Sequence, residues 1–145
     1  MCYTPPDRAG GWQLLEVVRG TRRPSSDAYC DANDRELATI LRQLRLLRLA
    51  GCPPERGKGR PRYEKLGQCT FEGRSVGVYV LKAKPSPWRL YFFVPDREHR
   101  RIVFLHSVSK KRDKRDAQDL VRCSTLIGAL ERGAYSLQEV EIPPV

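Results

Sequence analysis

A small α+β domain, built from a strand, two helices, a three-strand antiparallel meander and a closing helix, is the fold class this sequence predicts. Three observations predict it. Residues 34–50 place leucine and isoleucine at helical spacing, residues 75–108 hold three β-rich runs parted by short proline-containing breaks, and residues 116–132 return to helical spacing. Breaks that short make hairpins, so the sheet is expected to be antiparallel, with the helices packed on one of its faces. A chain of 145 residues suits one domain. Residues 1–10 and 134–145 read as terminal extensions.

Taken in order, GWQLLEVVR (11–19) reads as a first strand and TRRPSSD after it as a turn or helix start. In DRELATILRQLRLLRLA (34–50), Leu37, Ile40, Leu41, Leu44 and Leu47 form an apolar stripe. Asn33 and Glu36 are placed as a capping pair, and Gly51 as a stop. Arg42, Arg45 and Arg48 line the other side as a solvated face. CPPERGKGRPR (52–62) has proline, glycine and charge without periodicity and is a loop. SVGVYVLKAK (75–84), PWRLYFFV (87–94) and RRIVFLHSV (100–108) are the meander. In the last helix the expected stripe is Ala117, Leu120, Val121, Ser124 and Ile127, with Gly133 as the stop.

Several function classes fall away. No run of about 18 apolar residues offers a membrane span, and MCYTPPDRAGG lacks the apolar core of a signal peptide, so the expectation is a cytoplasmic protein. Cys2, Cys30, Cys52, Cys69 and Cys123 are widely spaced, with no C-x-x-C and no cysteine–histidine cluster. Neither a disulfide framework nor a zinc site is expected, and no cofactor is implied.

The net charge of +10 is concentrated. Residues 56–115 contain 17 Lys and Arg against 5 Asp and Glu, so the rest of the chain is slightly acidic. Such a segment attracts phosphate and gains salt-dependent affinity by counterion release. An acidic protein would be drawn by the same field. Strand alternation puts Lys82 and Lys84 on the face of Val76, Val78 and Val80, and Arg89 with Tyr91 and Phe93. The same rule puts His106 in line with Ile102 and Phe104. His99, in the PDREH turn, reads as solvent-exposed. The third strand then runs straight into a basic knot, FLHSVSKKRDKRD (104–116).

WRLYFFVPDREHRRIVFLHSVSKKRDKRD, preceded by YEKLG and VYVLKAK and followed by a helix, resembles the RelE/ParE superfamily of bacterial toxins. It is most similar to the phage-derived Gp49-like or HigB-like branch. The shared features are an aromatic followed by Arg-Leu, an acidic turn, an apolar strand ending in Leu-His, and a Lys-Lys knot. The likeness spans roughly residues 12–132 and is densest over 87–116.

The resemblance implies a RelE-like fold and a metal-independent endoribonuclease that cuts messenger RNA at the ribosome. It also implies a cognate antitoxin, acidic or carrying a helix-turn-helix. In that chemistry the 2′-hydroxyl attacks the adjacent phosphate, which needs a base, an acid and cations for the developing charge. By position, Arg89 matches the strand arginine on the scissile phosphate, Lys82 a strand lysine with Lys84 beside it, and Lys111 a phosphate-stabilising cation next to Lys110. Arg112, Lys114 and Arg115 extend the grip along the RNA. His106 and Tyr91 are the proton-transfer candidates, with Tyr135 or a lysine of depressed pKa as alternatives, because Ala117 stands where close relatives of RelE carry a tyrosine. Two rivals remain: a ParE-like gyrase poison, and a protein that binds RNA, the ribosome or a phage or host protein without cleaving anything.

Overall fold

In the computed structural model, residues 11–51, 61–110 and 117–143 are described. They form β1 (Gln13–Val18), α1 (Ser26–Tyr29), α2 (Asp34–Ala50), β2 (Tyr63–Phe71), β3 (Arg74–Lys82), β4 (Trp88–Asp96), β5 (Arg101–Ser109), α3 (Ala117–Glu131) and β6 (Ser136–Glu139). The architecture is α+β, with one six-stranded sheet in the order β2-β3-β4-β5-β1-β6. All strand pairs are antiparallel except β1 with β5, which is parallel and joins Gln13 to Arg101.

Helix α2 forms as its spacing predicts. The Asn33 side chain accepts a hydrogen bond from the Glu36 amide, which satisfies one open donor of the first turn, and Gly51 ends the helix at φ 74°. Ile40, Leu44 and Leu47 are fully buried against Leu14, Leu81, Leu90, Phe92, Ile102 and Phe104. The buried Gln43 side chain accepts from the Arg62 amide and ties the return strand to the helix.

Helix α3 packs on the opposite face. Cys123 and Ile127 meet Leu15, Val17, Val78, Val80, Tyr91, Phe93, Val103 and Leu105 there. The expectation that the helices share one face is therefore overturned. The reason is visible in the strands: β3, β4 and β5 are apolar on both sides, and a sheet buried on both sides needs a cover on each. The stripe of α3 is also rotated from the expected one. Leu120, Cys123 and Ile127 face the sheet, whereas Val121 is 57% exposed and Ser124 points to solvent.

Two strands escaped the sequence pattern. β2 is a half-buried edge with a register shift between Lys65 and Gly67, so it lacks clean alternation. β6 lies within the stretch first read as an extension and pairs with β1 as the other edge. Among the described residues, no helix is long and apolar enough to cross a membrane.

Candidate nucleic-acid interface

The α3 side of the sheet carries the basic side chains at one end. Lys82 on β3 is directly opposite Arg89 on β4, and Arg89 is opposite Val108 on β5. The neighbouring row is Val80, Tyr91 and His106. Two residues beyond Val108, the Lys110 amide donates to the Pro87 carbonyl at 2.7 Å and closes the end of the sheet.

His106 reaches this face through a bulge. Tyr91 is opposite His106 while Phe92 is opposite Phe104, so one residue of β5 is extra between those rows. Leu105 then packs on the α3 side, and the His106 ring stacks on Tyr91 with centroids 4.6 Å apart and planes within 9°. Ile102 and Phe104 stay on the α2 side. The sequence-based placement of His106 in line with them is corrected by that inserted residue.

Arg89 shares the buried face of Tyr91 and Phe93 that alternation assigns it. It is 5% exposed, and its Nη1 donates to the carbonyls of Ser86 at 3.1 Å and Trp88 at 2.8 Å. The guanidinium thus braces the β3–β4 turn, in which Lys84 is half-buried beside a cis Lys84–Pro85 bond. Lys82 Nζ lies 2.7 Å from Glu64 Oε2 on β2.

Lys110 pairs with Asp119, the carboxylate of the first turn of α3, which is 3% exposed. The ammonium also lies 5.7 Å from the centre of the Tyr91 ring. Burial pulls the Lys110 pKa down, but the hydrogen bonds to Asp119 and Tyr91 outweigh it and leave the pKa raised. A lysine of depressed pKa, one of the expected alternatives, is therefore not what Lys110 supplies. Tyr91 is pushed up to about 12, chiefly by burial, with Lys110 opposing and Asp119 reinforcing. His106 is pulled down to about 4, first by burial and then by Arg122, with Asp119 opposing and Lys110 adding to the fall. Within the described residues, neither ring nitrogen of His106 has a hydrogen-bond partner.

The structure brings Lys82, Arg89, Tyr91, His106 and Lys110 to one side of the sheet. Lys111, Arg112, Lys114 and Arg115 lie outside the described residues. Tyr135 is half-buried near the α3 core, with the Arg19 guanidinium 6.0 Å from its ring centre. His99 is on the surface, paired with Asp96, as its turn predicts. Two participants are absent from the sequence reading: Glu64, because β2 lacks the alternation that would mark it as a strand beside β3, and Asp119, whose partner Lys110 lies on another element. Among the described residues, no group of three His, Cys, Asp or Glu side chains is gathered to hold a metal. No protein-family model, no curated protein and no solved structure matches this chain.

Proposed function

We propose that the chain is a metal-independent endoribonuclease of the toxin type, RelE-like in arrangement, acting on messenger RNA at the ribosome and restrained in the cytoplasm by an antitoxin. One observation carries the reading: Lys82 and Arg89 stand side by side in register on one sheet face, with Lys110 beyond them. Two cationic side chains across a strand pair offer a bridging position to a phosphate, which would compete with the Glu64 carboxylate that pairs Lys82. Two carbonyls hold the Arg89 guanidinium in one place, so the charge that it lends this face is fixed in position.

Proton transfer falls to different groups from those the resemblance implies. Tyr91 and His106 are buried, with the tyrosine held protonated and the imidazole held neutral at physiological pH. Glu64 is the accessible carboxylate beside Lys82. In this reading Glu64 takes the 2′-hydroxyl proton as the 2′-oxygen bonds to phosphorus, the bond from phosphorus to the 5′-oxygen breaks with that oxygen taking a proton from water, and Lys82 and Arg89 neutralise the charge that builds on the phosphate.

The test is induction of wild type, Lys82→Ala, Glu64→Gln and Arg89→Lys in a bacterial host, with transcriptome-wide mapping of new RNA ends. Circular dichroism of each purified variant keeps folding apart from activity. New ends inside translated codons with wild type, lost in folded Lys82→Ala and Glu64→Gln, support the reading; growth arrest without new ends overturns it. A second reading, an RNA or ribosome binder that does not cleave, is favoured by the burial of His106 and Tyr91, and it predicts ribosome co-sedimentation with intact message.

A further inference from the structure

On the outer side of His106 lies a cleft of about 420 Å³ between α3, the segment after β1 and the start of the C-terminal strand. Its apolar wall includes Val121, Leu126 and Tyr135, and two arginines, Arg19 and Arg122, line it from exposed positions. His106 is the most buried residue of the lining, at 7% exposure. Its nitrogens have no partner within the described residues, and neither arginine forms an ion pair there. An exposed valine and a half-buried tyrosine in a cleft that ends in an unsatisfied imidazole call for a flat, largely apolar ring with a polar edge. Two arginines with no carboxylate partner among the described residues suit an anion on the same ligand.

We infer that this cleft holds one nucleotide, its base between Val121 and Tyr135 with an edge toward His106, and its phosphate on Arg19 and Arg122. A neutral imidazole suits such a base, because it offers one donor and one acceptor to a base edge instead of a second positive charge. Gln118 and Arg122 stand one turn apart on α3 at exposed positions along the rim of the cleft. His106 also stacks on Tyr91, and this places the cleft next to the Lys82 and Arg89 row on the same side of the sheet. The inference rests on the ribonuclease reading for its source of nucleotide, an unpaired base of the RNA strand, and gives that strand a base-selective subsite.

The experiment is proton–carbon NMR of the full chain, following the His106 imidazole and the Tyr135 ring during separate titrations with 5′-AMP, 5′-GMP, 5′-CMP, 5′-UMP and inorganic phosphate. A short oligoribonucleotide forms a last arm. The expected result is saturable shifts of both rings with at least one mononucleotide, little response to phosphate alone, and binding about tenfold weaker in the surface variant Arg122→Gln. A tighter response to the oligoribonucleotide identifies RNA as the source; equal affinity for the mononucleotide identifies a free nucleotide and removes the RNA assignment. Saturation by phosphate as strong as by nucleotide, no response at millimolar nucleotide, or unchanged affinity in Arg122→Gln overturns the cleft. Nucleotide binding without cleavage in the RNA-end mapping would sink only the ribonuclease, and cleavage without nucleotide binding would sink only the cleft.

Discussion

Acidification should destabilise this protein through His106. The imidazole is stacked on Tyr91, 7% exposed, and faced by Lys110, Asp119 and Arg122. Burial and the nearby cations lower its pKa from 6.5 to about 4, so the fold holds the neutral ring and resists protonation. Because the folded pKa is the lower one, this stability is fully present above pH 6.5 and is lost as the pH falls toward and through 4. At about 1.4 kcal/mol per pH unit the whole loss is about 3 kcal/mol, of which about 2 kcal/mol has gone by about pH 5. Urea unfolding at about pH 7.5 and about pH 5 measures it, and the midpoint should drop by about 1 M between them. His106→Phe keeps the stacked ring and removes the titration, so its midpoint should change much less. Equal pH dependence of wild type and His106→Phe would refute the reasoning. So would an imidazole resonance titrating near 6.5, assigned by losing the other histidine signal in His99→Gln.

Other expectations follow from the same packing. Glu16 is fully buried; its Oε1 accepts from the Ser26 hydroxyl and amide, and burial raises its pKa despite those bonds. The folded state therefore favours the protonated acid, and this contribution fades as the pH rises through the folded pKa. Glu16→Gln should be neutral or stabilising by about 1 kcal/mol at neutral pH, as thermal unfolding would show. For the Lys110 and Asp119 pair, Lys110→Ala strands a carboxylate that is 3% exposed, whereas Asp119→Ala leaves an ammonium able to reach water. Chemical denaturation should show the first costing about 3 kcal/mol or more and the second clearly less; the reverse order would mean that Lys110 is the more deeply held partner. Gly51→Ala combines a φ of 74° with a Cβ that would fall 2.1 Å from the Trp12 indole nitrogen, so the variant should lose roughly 2 kcal/mol or more and its Trp12 fluorescence should shift.

Where local signals agree with tertiary demand, the sequence was enough. The cap, stripe and stop of α2 and the three meander strands all appear at the expected places. Failures arose where the determinant was not local. The two-sided apolar character of β3 to β5 was visible, yet its consequence, a helix on each face, follows only when the layers are assembled. β2 hid behind Glu64 and Lys65, because an edge strand tolerates charge and a register slip. Alternation along the strands accounts for Lys82, Arg89 and Tyr91 sharing one face of the sheet, but the burial of Arg89 depends on the carbonyls of a turn, which no residue pattern announces. His106 was assigned to the wrong side because strict alternation has no place for an inserted residue.

The position of β1 between β5 and β6 also bears on how the chain is made. Gln13 finds its partner Arg101 roughly ninety residues later, and Val18 waits for Ser136. At about 5–20 residues per second of synthesis, Leu14, Leu15 and Val17 stay without their sheet for several seconds or more while the meander forms ahead of them. Contacts so distant in sequence favour slow closure, because the long segment between β1 and its two neighbours must be ordered before either pairing repays the entropy of closing it.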